Sequence, residues 1–78
     1  MVPRVVLYTR EGCHLCDDAR AVVDQVCEEA QCEWAEIDID ANQHLADEFG
    51  LLVPVVAVDG RVVAYWEVGP EPVRAALR

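Results

Sequence analysis

Cys13 and Cys16 stand in the segment Gly12-Cys13-His14-Leu15-Cys16. Two residues between the cysteines let the second sulfur reach the first, so a disulfide can close and reopen with little backbone movement. The same spacing supplies half of a tetrahedral metal site, which then needs two more ligands. No second C-x-x-C or H-x-H pair is present, and His14 beside Cys13 is poorly placed to share a metal with it. Thiol–disulfide exchange is therefore the leading chemistry. A metal- or Fe–S-binding module through Cys13 and Cys16 remains the alternative, and no resident cofactor or metal is called for.

The flanking elements decide what the pair does. Val5-Val6-Leu7-Tyr8 reads as a strand buried on both faces. Thr9 to Gly12 breaks it. Leu15, Ala19, Val22, Val23, Val26, Cys27 and Ala30 then recur at helical spacing, with acidic residues opposite. The cysteines thus fall at a helix start, where free N–H groups and the positive dipole end favour a thiolate. That placement lowers a cysteine pKa from about 8.5 toward neutrality. Cys13, at the helix tip, is expected to attack a substrate disulfide. Cys16, one turn in, is expected to resolve the mixed disulfide. Arg10, and His14 when protonated, favour the Cys13 thiolate; Asp17 and Asp18 act in the opposite sense.

Further along, Cys32 to Asp40 alternates as a strand, with Ala35, Ile37 and Ile39 on one face. Asp40 then reads as the N-cap of a second helix, with Gln43 reaching back. Ala41, Leu45 and Phe49 face inward, and Gly50 supplies a left-handed stop. Val53 to Val58 is a strand, Asp59-Gly60 a hairpin turn, and Arg61 to Trp66 the returning strand. Gly69-Pro70-Glu71-Pro72 opens a last helix with Val73, Ala76 and Leu77 inward. The order β-α-β-α-β-β-α predicts one α/β domain over residues 1–78, with a βαβ unit whose strands are parallel, followed by an antiparallel hairpin.

Composition narrows the partners. The 78 residues carry a formal charge of −9, and all six basic residues are Arg. Such a chain is repelled by phosphate backbones and anionic membranes, so neither nucleic acid nor a membrane is an expected partner. The opening apolar run is too short for a signal peptide, which makes the cytoplasm the expected compartment. Thiols are held reduced there, so a close pair points to redox work rather than to a structural staple. Nothing demands a dimer, and a monomer is expected. Cys27 and Cys32 read as small packing residues, with a second disulfide between them as the alternative. Tyr8 reads equally as a groove-lining or a core residue; Trp34, Tyr65 and Trp66 read as packing residues, and His44 as a surface residue.

Val5 to Cys16, Glu36-Ile37-Asp38-Ile39-Asp40, Leu52-Val53-Pro54-Val55-Val56 and Asp59-Gly60-Arg61 together resemble a glutaredoxin or small thioredoxin-like protein. Short bacterial glutaredoxin-like proteins with Cys-His-Leu-Cys are the most similar kind. The resemblance runs from about Arg4 to Leu77. It implies a thioredoxin fold: a four-stranded mixed sheet flanked by three helices. It also implies a cis Pro54 opposite Cys13, and a Val53 backbone that pairs with a substrate peptide as an added strand. Substrate contacts are expected from Arg10, His14, Leu15, Val53, Pro54 and Gly69. The substrate is expected to be a protein disulfide or a small thiol compound, and the reductant glutathione or thioredoxin reductase. Two departures make glutathione use doubtful. His14 and Leu15 replace the Pro and aromatic residue between the cysteines, and Val68-Gly69-Pro70 replaces the Gly-Gly-Asp segment. A third class of reading is a non-catalytic thioredoxin-fold adaptor that binds through its acidic surface.

Overall fold

A computed structural model describes residues 3–78. The chain forms β1 (Val5–Thr9), α1 (His14–Ala30), β2 (Trp34–Asp38), a 3-10 turn (Ile39–Ala41), α2 (Gln43–Phe49), β3 (Val55–Val58), β4 (Arg61–Tyr65) and α3 (Pro70–Leu77). The sheet order is β2-β1-β3-β4. β1 and β2 run parallel, with Leu7 opposite Glu36. β3 lies antiparallel to both β1 and β4, with a bulge between Val56 and Ala57. This is the expected element order and mixed four-stranded sheet.

Alternation divides the sheet into two faces. Val5 and Leu7 stand opposite Val58 and Val56, and all four are buried. They pack with Ala19, Val23, Val26 and Cys27 of α1 and Val73 of α3. The long amphipathic helix therefore forms half of the main core. On the other face, α2 covers only the Tyr8 end of β1, where the Tyr8 and Phe49 rings lie 4.9 Å apart between centroids. A groove of about 630 Å³ stays open beside Val6, Ala57 and Val62. β1 is accordingly buried on one face and half-buried on the other, rather than buried on both as its apolar run suggested. No helix among the described residues is long and apolar enough to cross a membrane.

The second helix starts later than the sequence pattern indicates. Its N-cap is Asn42, whose side chain accepts from the His44 and Leu45 N–H groups. Asp40 sits in the 3-10 turn and pairs with Arg10 instead. Gln43 reaches forward to Asp47, not back to a cap, and Ala41 is exposed. Gly50 is right-handed (φ −53°) rather than a left-handed stop. Its role is close approach: a Cβ there would meet the Ala46 carbonyl oxygen at 2.5 Å. The expected strand from Cys32 to Asp40 shortens at both ends. Cys32 lies in the connection after α1, and Ile39 is buried in the turn. β2 is an edge strand, so Ile37 stays 37% exposed. Ala30, expected inward, is also exposed at the end of α1. The Asp59-Gly60 turn has positive φ at both residues, as a tight hairpin requires. α3 starts at Pro70 behind Gly69 and buries Val73, as expected.

One polar knot ties the N-terminal part of α1 to the sheet. Buried Thr9 donates through Oγ1 to Glu36 at 2.9 Å. Arg20 donates to both Glu36 oxygens at 2.7 and 2.8 Å, and to Asp17 at 2.8 Å. Glu36 is exposed on this edge strand yet fully paired. Here Arg20, with help from Thr9 and against partial burial, holds its carboxyl below the ordinary carboxylate range.

Two outcomes are expected. Leu7→Ala removes a fully buried side chain from the main core and should cost about 2–5 kcal/mol in urea unfolding at pH 7. Glu36→Gln should lower stability at pH 7, where the depressed carboxyl is charged. That difference should vanish as the pH falls through the folded-state pKa, below the usual carboxylate range, because protonation removes the same charge. A Glu36→Gln deficit independent of pH would contradict the assignment.

Candidate functional site

β1 ends at Thr9, and four residues turn the chain into α1. Gly12 makes that turn in the left-handed region (φ +79°), which L side chains rarely adopt. Cys13 follows in an extended conformation (φ −93°, ψ 111°) as the N-cap of α1. Its sulfur accepts from the Cys16 N–H at 3.2 Å. This is the bond a Ser or Asp cap makes to the third helical residue, formed here by sulfur. The sulfur thereby sits at the positive end of a 17-residue helix.

The two thiols differ in their surroundings. Cys13 is half-buried and lines a depression of about 300 Å³ with Arg10, Glu11, Gly12, His14, Asp17 and Arg20. Cys16 is 1% exposed and packs with Ile39, Phe49, Val53 and Val55. Burial, reinforced by contact with Cys13, pushes the Cys16 thiol up to about 11, although the nearby Arg10 backbone N–H acts the other way. Both cysteines are free thiols. Among the described residues no third His, Cys, Asp or Glu is placed to share a cation with them.

The Val53–Pro54 peptide is cis, and both residues are buried. Val53 packs in the same apolar cluster as Cys16, with Cys13 and Tyr8 against it. The structure therefore brings Cys13, Cys16, His14 and Val53-Pro54 to one place. The Val53 N–H is already donated to the Phe49 carbonyl at 3.1 Å. Of the two groups expected to pair with a peptide, only its carbonyl is without a hydrogen-bond partner among the described residues.

Arg10 acts on the Cys16 thiol through its backbone, while its guanidinium is turned to other partners. That group donates to Asp40 at 2.9–3.2 Å and to the Gly50 carbonyl at 3.1 Å. Leu15 is half-buried and does not line the depression around Cys13. Gly69 caps α3, with open space where a side chain would begin, and takes no part in the hydrogen bonds around the thiols. Tyr65 and Trp66, expected to pack, are 56% and 53% exposed. Trp66 adopts φ +66°, and its N–H bonds the Leu52 and Pro54 carbonyls at 3.0 and 2.9 Å. Sequence reasoning had missed this anchor of the Pro54 loop. Its one signal was a bulky residue at the end of an apolar strand, which says nothing of the backbone angle.

Comparison with known proteins agrees with this geometry. Residues 4–78 match the model of the glutaredoxin-like domain (DUF836). An uncharacterized protein of Mycobacterium tuberculosis is 37% identical over 80 residues, covering 96% of this chain and 82% of its own. The solution structure of protein Ne2328 from Nitrosomonas europaea superposes with a TM-score of 0.82 at 31% identity, covering 100% of this chain and 95% of that one. A mutant thioredoxin from Halobacterium salinarum superposes with a TM-score of 0.65 at 28% identity, over 96% of this chain and 73% of that one. A β-α-β-α-β-β-α chain with a thiol at the tip of its first helix, and a match over nearly its whole length, belongs to the glutaredoxin-like family, with a thioredoxin fold.

Proposed function

We propose that the protein is a thiol–disulfide oxidoreductase that works through Cys13 and Cys16. The observation that carries the reading is the half-exposed Cys13 sulfur, bonded by the Cys16 N–H at the tip of α1, with the Cys16 thiol buried directly behind it. A negative sulfur at this position is met by the Cys16 N–H and by the helix end. The Cys13 thiolate attacks one sulfur of a substrate disulfide, and the second sulfur leaves as a thiolate that takes up a proton. Cys16 stays protonated during this step, because burial raises its thiol to about 11. Loss of its proton then lets Cys16 attack the Cys13 sulfur. A Cys13–Cys16 disulfide forms, the bound sulfur leaves as a thiol, and the substrate has gained two electrons. An external reductant restores the dithiol.

A protein disulfide in extended backbone fits as substrate, with the free Val53 carbonyl as its pairing point. Glutathione is the weaker candidate as reductant. The Arg10 guanidinium is engaged by Asp40 and Gly50, and neither His14 nor Leu15 offers an aromatic wall. Thioredoxin reductase is the other candidate. A monomer in the reducing cytoplasm suits a dithiol kept ready for attack.

Three measurements check the reading. Between pH 6 and 9, iodoacetamide should label Cys13 and spare Cys16 in the native reduced protein. Cys13→Ser should reduce insulin disulfides no faster than the uncatalysed background, while Cys16→Ser should accumulate a mixed disulfide at Cys13. Retained turnover in Cys13→Ser would end the proposal. Arg10→Met, assayed with glutathione and with thioredoxin reductase as donors, should change both rates alike, because its guanidinium faces Asp40 and Gly50. A selective loss with glutathione would assign that group to the tripeptide.

A further inference from the structure

The far end of α1 carries a second pair of sulfurs that the proposed cycle does not use. The helix stops at Gln31, a non-glycine residue in the left-handed region (φ 56°, ψ 44°). Two hydrogen bonds close the end: Cys32 N–H to the Cys27 carbonyl at 3.0 Å, and Gln31 N–H to the Glu28 carbonyl at 3.2 Å. This is the Schellman arrangement, in which the second residue beyond the helix folds back over the residue five earlier, and an apolar contact commonly joins their side chains. Here that contact is made by two thiols. Cys27 is 1% exposed in the main core, and Cys32 is half-buried against the same cluster. The two thiols are close neighbours, and the Arg4 guanidinium, itself paired with Asp59, lies within electrostatic reach of the Cys32 sulfur. By the rise of the helix, the pair is about 20 Å from Cys13, too far for direct exchange within one molecule.

We propose that Cys27 and Cys32 form a second, oxidisable pair, closed to an intramolecular disulfide by exchange with low-molecular-weight disulfides. Cys32, more exposed and nearer a positive charge, attacks one sulfur of the external disulfide R–S–S–R. A Cys32–S–S–R mixed disulfide forms, and the first R–S⁻ leaves and takes up a proton. Cys27 then gives up its proton and attacks the Cys32 sulfur, releasing the second R–S⁻, which is protonated in turn. One dithiol is oxidised by two electrons, and one external disulfide becomes two thiols. Burial, then contact with Cys32, pushes the Cys27 thiol up to about 12, so the closing step is slow at neutral pH. The result joins covalently the two residues that the helix stop already holds together.

The test uses the full chain with Cys13→Ser and Cys16→Ala, so it does not depend on the function proposed above. Serine keeps a side-chain cap at position 13, and circular dichroism verifies the fold. The reduced variant is equilibrated in glutathione buffers of rising oxidised fraction, quenched in acid, treated with N-ethylmaleimide, and cut after Arg. The fragment Ala21–Arg61 holds both cysteines. The expected product is this fragment with no maleimide and a mass lower by two hydrogens, which accepts two maleimides after reduction. Adding Cys32→Ala should abolish it. A fragment that carries two maleimides, or one maleimide and one glutathione, at every ratio overturns the proposal. So does a mass loss that survives Cys32→Ala.

Discussion

The bond from the Cys16 N–H to the Cys13 sulfur joins the fold to its chemistry. A helix start leaves N–H groups that need acceptors, and Ser, Thr, Asp or Asn at the cap typically supplies about 0.5–2 kcal/mol. Here the acceptor is sulfur, which accepts more strongly when charged. The orientation of α1 and the state of Cys13 are thereby linked. The bond exists only because Gly12 turns the chain sharply after β1 and because α1 is pinned to the sheet behind it. Thr9, Glu36 and Arg20 secure the start of the helix; Ala19, Val23, Val26 and Cys27 secure its length.

The same helix separates two environments for sulfur. At its start, Cys13 opens to a shallow depression while Cys16 is sealed by Phe49 and Val53. At its end, Cys32 is half-buried and Cys27 sealed in the main core. In each pair a partly exposed sulfur lies against a buried one. Desolvation raises both buried thiols, so each keeps its proton over the neutral range. The common cause is geometric: residues at a helix cap stand at the surface, while those three to five residues away on the same stripe face the core.

The acidic character of the chain is partly spent inside the structure. Asp40 holds the Arg10 guanidinium, Asp59 holds Arg4, and Glu36 holds Arg20. Arginine suits these sites because its planar fork meets both carboxylate oxygens at once. Arg10 thus fastens the approach to α1 to the turn before α2 and to Gly50. The guanidinium of a residue expected to contact substrate is held by one of the chain's own carboxylates.

Local pattern alone determined the element order, the Cys13 cap, the hairpin at Asp59-Gly60 and the proline start of α3, because each depends on residues within a few positions of one another. Resemblance to a known family supplied the cis Pro54. The partners of Arg10, the burial of Ile39 in a turn, the exposure of Tyr65 and Trp66, and the anchoring of Trp66 to the Pro54 loop were decided by tertiary structure. These depend on β2 and β4 being the sheet edges and on α2 being too short to cover the second face. The pattern left the meeting of Cys27 and Cys32 as one of two readings, since no glycine marks the helix stop at Gln31. Local propensity sets where the chain turns. Only packing against residues far along the chain sets which side chains meet once it has turned.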